Sequence, residues 1–190
     1  ASATMDGPPQ VWTWGGEHGE DIAAMLPSLS AERPSRDLRA HLRGKDDCLF
    51  IYTSGTTGLP KATKITNSRL QIMMRTFIAP CYTGPRDRVY ITLPLYHATG
   101  GACGIGQALM TGASVILRRK FSATAFWDDV VDEGATSIVY IGELCRYLLN
   151  QPVHPKERQH RLRTGFGNGL RAEIWTEFRE RFNITNLVEF

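Results

Sequence analysis

The stretch Tyr52-Thr53-Ser54-Gly55-Thr56-Thr57-Gly58-Leu59-Pro60-Lys61 decides how the rest of this chain is interpreted. Its two glycines allow positive φ and let the backbone approach a ligand closely. Its hydroxyl groups and successive backbone amides can donate hydrogen bonds to an anion. Lys61 adds a compact positive charge of the kind that proteins place against phosphate oxygens. The stretch therefore predicts a loop that binds a polyanion.

The spacing of this loop excludes a Walker-type nucleotide site. A Walker loop has four residues between its first glycine and a Gly-Lys-Ser/Thr ending, and it opens a helix. Here Gly55 and Gly58 are three positions apart and Lys61 is followed by Ala62. The β-branched run 62–66 favours a strand over a helix. Together with the apolar run Leu49–Tyr52, this predicts a strand, the glycine loop and a second strand.

Strand and helix patterns alternate along the rest of the chain. Further strands are predicted at 88–93, 113–117, 136–141, 162–166 and 186–190, with helices at 70–77, 99–110, 122–133, 143–149 and 171–182. Asn67 is the predicted N-cap of the first helix, and the methionines of that helix are predicted to lie in the core. The alternation predicts an α/β fold with a mostly parallel sheet flanked by helices.

Composition narrows the class of protein. Of the 190 residues, 42% are hydrophobic and 22% are charged, and the net charge of +3 is too small to indicate a nucleic-acid partner. The four cysteines form no CxxC pair, so reduced core thiols in a cytoplasmic protein are expected. The most apolar segment, 101–117, is interrupted by Gln107 and Thr111-Gly112, which favours a helix and a strand over a membrane span.

Ligands of parallel α/β sheets bind at the carboxyl ends of the strands, so the turns after the strands are candidate sites. They are the glycine loop, the segment 94–97, Gly142-Glu143 and the glycine cluster 165–170. The sequence predicts that all four converge on one crevice. His97 lies beside Tyr96 in one of these turns, and at this point a structural and a functional role both remain open for it.

The glycine loop resembles the phosphate-binding signature of the adenylate-forming enzymes, which include acyl-CoA synthetases, luciferases and peptide-synthetase adenylation domains. The segment 94–97 is similar to the second core motif of acyl-CoA synthetases. The segments 119–122, 126–129 and 140–150 are similar to the fatty acid transport protein branch, the very-long-chain acyl-CoA synthetases. The resemblance covers residues 48–190. It implies the N-terminal domain fold of these enzymes and ATP-dependent conversion of a long- or very-long-chain fatty acid to acyl-CoA through an acyl-adenylate.

The resemblance also implies roles for particular residues. The ATP phosphates are expected on Thr53, Ser54, Gly55, Thr56, Thr57, Gly58 and Lys61. Adenine and ribose are expected on Gly167, Asn168, Gly169 and Leu170, and the acyl chain and its carboxylate on Tyr96, His97, Tyr140, Ile141 and Gly142. Mg²⁺, bound through ATP, is expected near the hydroxyl of Thr56 or Thr57, with CoA as co-substrate. No catalytic residue is assigned.

The expected organisation is a lead and linker at 1–47, followed by a partial AMP-binding domain at 48–190 that is truncated at its C-terminus. A fragment of that extent is expected to be inactive alone. A lipid substrate leaves peripheral membrane association open. Apolar faces exposed by the truncation favour self-association, so a homo-oligomer also stays open. Two other functions stay open: a fatty acid binding or transport module without ligase chemistry, and a phosphoryl-transfer ATPase.

Overall fold

The computed structural model describes residues 11–16, 19–53 and 61–190. The chain divides into two compact units between Leu42 and Arg43. The sequence predicted this division five residues later, at 47/48. The difference arises because the carbonyl of Asp46 accepts a hydrogen bond from the amide of Asn67 at 3.0 Å, which attaches the segment after Leu42 to the second unit.

The first unit contains little regular structure among its described residues. Two short parallel strands, β1 (Trp12–Thr13) and β2 (Glu20–Asp21), precede a single helical turn, α1 (Ile22–Met25). The Asp21 carboxylate accepts from the amide of Ala23 and caps this turn. Two 3₁₀ turns follow, at Leu26–Ser28 and Arg36–Arg39.

The second unit opens with an antiparallel hairpin. Strand β3 (Asp47–Thr53) pairs with β4 (Lys61–Thr66), and Thr53 lies opposite Lys61 at its end. The two strands predicted on either side of the glycine loop are therefore confirmed, and residues 54–60 lie outside the described part of the chain. The hairpin is a two-stranded sheet of its own, so the loop does not follow a strand of the parallel sheet.

The main sheet has five strands, and every pairing in it is parallel. They are β5 (Arg88–Ile91), β6 (Ser114–Leu117), β7 (Ser137–Ile141), β8 (Thr164–Asn168) and β9 (Asn186–Glu189), in the spatial order β6-β5-β7-β8-β9. The order reverses between β5 and β7, because the chain adds β6 on one side of β5 and all later strands on the other. The predicted α/β fold with a mostly parallel sheet is confirmed.

Helices cover both faces of this sheet. They are α2 (Asn67–Arg75), α3 (Ile78–Cys81), a π-helix (Thr99–Ile105), α4 (Gly106–Thr111), α5 (Phe126–Asp132), α6 (Gly142–Leu149) and α7 (Ala172–Phe182). Alternate strand residues enter two separate cores, as the two-residue period of a strand requires. Tyr90 and Ile138 join the core built on Trp127, Phe178 and Phe182. Val89, Ile91 and Val139 join the core that contains Phe77 and Phe166.

Three local predictions differ from the structure. Thr66, rather than Asn67, caps α2, because its hydroxyl accepts from the amide of Arg69, while the Asn67 side chain donates to the carbonyls of Arg43 and Asp46. Helix α5 begins at Phe126 and not at Ser122, whose hydroxyl instead accepts from the amide of Ala125. The predicted strand 162–166 and glycine turn 165–170 are displaced, since β8 continues through Asn168.

The cysteine prediction holds for three of the four residues. Cys81, Cys103 and Cys145 are buried thiols, and burial raises the pKa of Cys103 to about 11. Cys48 is exposed, which corrects its assignment to the core. Among the described residues, none of the helices has the length and apolar composition that a membrane crossing requires.

Candidate functional site

The reversal of strand order places a crevice between the carboxyl ends of β5 and β7. In open parallel sheets this is where ligands bind, because the chains leaving the two strands turn to opposite sides. The turn after β5 carries Tyr96 and His97, and the residue after β7 is Gly142. Two of the predicted turns therefore flank the crevice.

The turn after β5 is held by backbone hydrogen bonds. The amide of His97 donates to the carbonyl of Pro94 at 3.0 Å, and the His97 carbonyl accepts from Gly101 at 2.9 Å. The π-helix then packs directly on this turn. A Cβ at Gly100 would lie 2.8 Å from the carbonyl oxygen of Pro94, and one at Gly101 would overlap the carbonyl oxygen of Leu95. Glycine is therefore required at both positions for this approach.

An apolar cavity of about 370 Å³ lies beside Tyr96 and His97. Its volume falls in the range of small-molecule sites. The lining comes from β3, α2, the turn after β5, the π-helix and α4: Leu49, Phe50, Ile51, Leu70, Met74, Leu95, Tyr96, His97, Ala98, Gly101, Ala102, Ile105, Gly106 and Leu109. The strand that leads into the predicted phosphate loop thus forms one wall, and the turn that bears His97 forms another.

The hydrogen bond of His97 fixes its donor and acceptor atoms. The Nδ1 atom accepts from the amide of Thr99 at 3.2 Å, so the proton of the neutral ring is on Nε2. The Nε2–H group is then the donor of this side chain. A carboxylate at the cavity would find this hydrogen-bond donor beside a mostly apolar lining. Tyr96 is 86% exposed and adds a second polar group at the rim.

The other residues predicted for the acyl side are not brought to this cavity. Tyr140 is only 2% exposed and its hydroxyl donates to the carbonyl of Val188 at 3.2 Å. Burial, followed by the nearby Glu189 charge, raises the pKa of Tyr140, which keeps the phenol neutral. Ile141 packs against the core that contains Phe166. The prediction that Tyr140 and Ile141 share a pocket with His97 is corrected, because both side chains are used in the cores of the sheet.

Gly142 packs against the turn that follows β8. A Cβ at Gly142 would overlap the carbonyl of Gly169 and lie 2.6 Å from the amide nitrogen of Leu170. Gly142 therefore belongs with the predicted adenine and ribose segment rather than with the cavity. The same segment begins inside β8, where a Cβ at Gly167 would overlap the carbonyl oxygen of Tyr140 on the neighbouring strand. Only Gly169, with φ of 77°, and the buried Leu170 form a turn.

The carboxylate of Glu189 bonds to this turn. Oε2 accepts from the amide of Gly169 at 2.9 Å, and Oε1 accepts from the amide of Leu170 at 3.0 Å. Sequence reasoning did not assign Glu189 a role at the site, since a glutamate at the end of a strand has no local signal for such contacts. It also missed Leu70 and Met74 of α2, although their four-residue spacing places both on one helix face.

The predicted phosphate site is described only at its two ends. Thr53 closes β3, and the exposed Lys61 opens β4 opposite it. Ser54, Gly55, Thr56, Thr57 and Gly58 lie outside the described residues, and with them the predicted Mg²⁺ position. Within 11–16, 19–53 and 61–190, no group of three or more His, Cys, Asp or Glu side chains could hold a metal ion.

Comparisons with known proteins agree with the fold and with the sequence motifs. Long-chain fatty acid transport protein 1 of Homo sapiens is 51% identical over 149 residues, which is 78% of this chain and 23% of that protein. A medium/long-chain-fatty-acid–CoA ligase of Mycobacterium tuberculosis is 41% identical over 175 residues, 90% of this chain and 28% of that protein. A benzoate CoA ligase of Burkholderia xenovorans superposes with a TM-score of 0.74 at 19% identity, over 90% of this chain and 34% of that chain.

The chain thus spans about a quarter of the length of the curated relatives it matches. The family described as AMP-binding enzyme matches residues 12–190, which include both the hairpin and the five-stranded sheet. By this match, the chain belongs to the AMP-binding enzyme family.

Proposed function

We propose that the protein containing this chain is a fatty acid–CoA ligase that forms AMP, acts on long- or very-long-chain fatty acids and couples this reaction to their uptake. The observation that carries the proposal is the apolar cavity between β3, which leads into the phosphate loop, and the turn that bears His97. The names of the fatty acid transport protein and of the fatty-acid–CoA ligase support the substrate class.

The cavity would bind the acyl chain by burial of its methylene groups. Each CH₂ removed from water contributes about 0.8 kcal/mol, so an apolar wall without charges favours a long chain. The carboxylate would stay at the end near His97, where Nε2–H can donate to one of its oxygens. A single donor orients the carboxylate and leaves its second oxygen able to attack phosphorus.

The phosphates of ATP would lie on the loop from Thr53 to Lys61. Lys61, the hydroxyl groups and the loop amides stabilise charge on the pyrophosphate leaving group. Mg²⁺, near Thr56 or Thr57, supplies further positive charge to the phosphate oxygens when it is bound. Adenine and ribose would pack along residues 167–170, where the glycine backbone after β8 is exposed at Gly169.

The reaction consists of two displacement steps. In the first, a carboxylate oxygen attacks the α-phosphorus of ATP and the bond to pyrophosphate breaks, which gives acyl-adenylate. In the second, the thiol of CoA attacks the acyl carbon, its proton leaves to solvent and AMP departs. The chain's own contribution to the first step is positioning and charge stabilisation.

Exchange of radioactive pyrophosphate into ATP, dependent on added fatty acid, tests this function in the full-length protein. A carrier without chemistry would give no exchange, and a phosphoryl-transfer ATPase would release orthophosphate instead. The His97→Ala variant should lower exchange about tenfold, the loss expected of one hydrogen bond to a charged group. His154→Ala, on the loop after α6, is the matched control and should exchange normally. Orthophosphate release without exchange would refute the proposal.

We also propose that the full-length protein associates peripherally with a membrane on its cytoplasmic side and forms a homo-oligomer. The membrane association rests on the chemistry of the substrate, which partitions into lipid. The homo-oligomer rests on the large apolar side chains exposed on the described part of the chain. Flotation with phospholipid vesicles and analytical sedimentation measure the two properties directly. A protein that remains with the soluble fraction as a monomer would contradict both.

A further inference from the structure

Glu189 is fixed at the carboxyl ends of three adjacent strands. It is the last residue of β9, and its backbone lies opposite Gly167 in β8. The side chain reaches beyond the end of β8, where each carboxylate oxygen accepts from a different amide, at 2.9 Å from Gly169 and 3.0 Å from Leu170. Two charge-assisted bonds from consecutive amides hold the turn more firmly than neutral contacts would.

The Gly169-Leu170 turn that Glu189 holds is packed closely against Gly142 on the side away from the carboxylate. The carbonyl of Gly169 lies where a Cβ of Gly142 would be, so the start of α6 confines it. Gly169 itself has a φ of 77°, a conformation that glycine adopts without strain. The turn is therefore confined between Gly142 and the Glu189 carboxylate, and the loss of either support would let it move.

The charge of Glu189 is not explained by an ion pair. Glu189 is exposed, and among the described residues no Lys, Arg or His side chain forms a salt bridge with it. A carboxylate near a site for a polyanionic nucleotide is electrostatically unfavourable, since like charges repel. Its carboxylate lies close to the buried Tyr140 hydroxyl and bonds to both amides of the Gly169-Leu170 turn, and these contacts account for a carboxylate at this place.

We propose that Glu189 is a positioning residue for nucleotide binding, which acts through the Gly169-Leu170 turn. The inference rests on the proposed function, because it takes residues 167–170 as the adenine and ribose segment. Glutamine at this position keeps the length of the side chain but offers only one acceptor oxygen, and its NH₂ group would face an amide donor. Loss of one charge-assisted bond should then raise the KM for ATP about tenfold and leave the KM for fatty acid unchanged.

Glu189→Gln and Glu180→Gln in the full-length protein form the matched pair. Glu180 is an exposed glutamate on α7 and should behave as the wild type. Pyrophosphate exchange measured against ATP, and separately against fatty acid, gives the two KM values. Amide hydrogen exchange in the protein without nucleotide should become faster at residues 169 and 170 in Glu189→Gln alone. This second readout does not depend on activity.

The two possible failures are distinguishable. A wild-type protein without pyrophosphate exchange would refute the proposed function. A wild type that exchanges, together with an unchanged ATP KM in Glu189→Gln, would overturn the positioning role. Nucleotides that differ in the base give one more test, because a positioning residue acts on ATP and GTP in the same proportion. A variant that loses use of ATP and gains use of GTP would instead show direct contact with the base, and would also overturn the proposal.

Discussion

At the scale of single residues, Lys61 and Lys64 offer a matched comparison on one strand. Both are exposed. Lys64 pairs with Asp47 at 3.0 Å, and Lys61 stands at the junction with the phosphate loop. Lys61→Ala should lower pyrophosphate exchange about 10²-fold, as expected for one lost preorganised contact to developing charge. Lys64→Ala should leave exchange unchanged. Equal exchange rates in the two variants would refute the role of Lys61.

A second residue-scale prediction concerns Gly142. Its missing Cβ leaves room for the carbonyl of Gly169, so Gly142→Ala must displace the turn after β8. We expect a higher KM for ATP with little change in the KM for fatty acid, which reverses what the sequence suggested when it placed Gly142 in the acyl pocket. Gly84→Ala is the control, because a Cβ there meets no atom within 4 Å. A changed fatty acid KM with an unchanged ATP KM would restore the acyl assignment.

At the scale of elements, Arg181 fastens α7 to the loop after α6. Its guanidinium donates to the carbonyls of Leu149, Gln151 and Pro152 and to both carboxylate oxygens of Glu157. Burial alone would raise the pKa of the Glu157 carboxyl, but the bonds from Arg181 and from the amide of His154 hold it below its ordinary value. Arg181 is therefore one of several side chains that hold this loop, together with Lys156, which pairs with Asp132, and Arg158, which donates to the carbonyl of Glu180.

Arg181→Met should lower the free energy of unfolding by about 3 kcal/mol, because it leaves the Glu157 carboxylate buried without its partner. Arg179→Met is the control, since the exposed Arg179 makes one bond, to the carbonyl of Thr185 at 3.0 Å. Denaturant unfolding of both variants measures the difference. Equal losses would mean that the Glu157 contact contributes nothing specific.

The elements also indicate what can be predicted from sequence. Strand and helix periodicity was sufficient to predict the parallel sheet, because each buried strand shows its apolar residues within a short stretch of sequence. Contacts between residues that are far apart in the sequence could not be predicted from this periodicity. The acceptor for the amides of Gly169 and Leu170 comes from Glu189, about twenty positions later. Likewise, β8 extends through its glycines because the Tyr140 backbone lies against Gly167, and no local pattern shows that neighbour.

The candidate site was predictable to a similar extent. The Tyr96-His97 turn was found from its place after a strand, and the structure puts it at the cavity. Tyr140 was assigned to the pocket because it also stands near a strand end, but the direction of its side chain depends on strand register. The register sends it into the core beside Leu148 and Phe178. The sequence indicates which turns lie at the same edge of the sheet. The side of the sheet to which each side chain points depends on packing between the strands.

At the scale of the whole molecule, His160 makes stability depend on pH. Its ring stacks on Trp127, Nε2 donates to the carbonyl of Phe182 at 2.7 Å, and Nδ1 accepts from the amide of Leu162. Burial first, aided by the Arg158 charge, lowers the pKa of His160 below 6.5. The unfolded chain therefore takes up a proton at a higher pH than the folded protein does.

Stability should be unaffected by His160 at alkaline pH and should fall as the pH drops below 6.5, the ordinary value for the unfolded side chain. His160→Gln cannot titrate, and its amide can still donate to Phe182. Between about pH 7.5 and about pH 5.5, the Tm of the wild type should fall by more than the Tm of the variant does. The same loss in both proteins would show that other groups cause the acid sensitivity.

The π-helix that lines the cavity is wound one residue wider than an α-helix, as the bond from the amide of Cys103 to the carbonyl of Ala98 shows. Each residue of an α-helix turns the chain by about 100°. The π-helix holds one residue more per turn, so removal of one residue from Thr99–Ile105 would let α-helical winding resume with little rotation of α4. The same deletion inside α4 would rotate the residues after it, Leu109 included, by about 100°. A residue lost from the π-helix therefore changes the local width of the cavity wall, whereas one lost from α4 changes which side chains face the cavity.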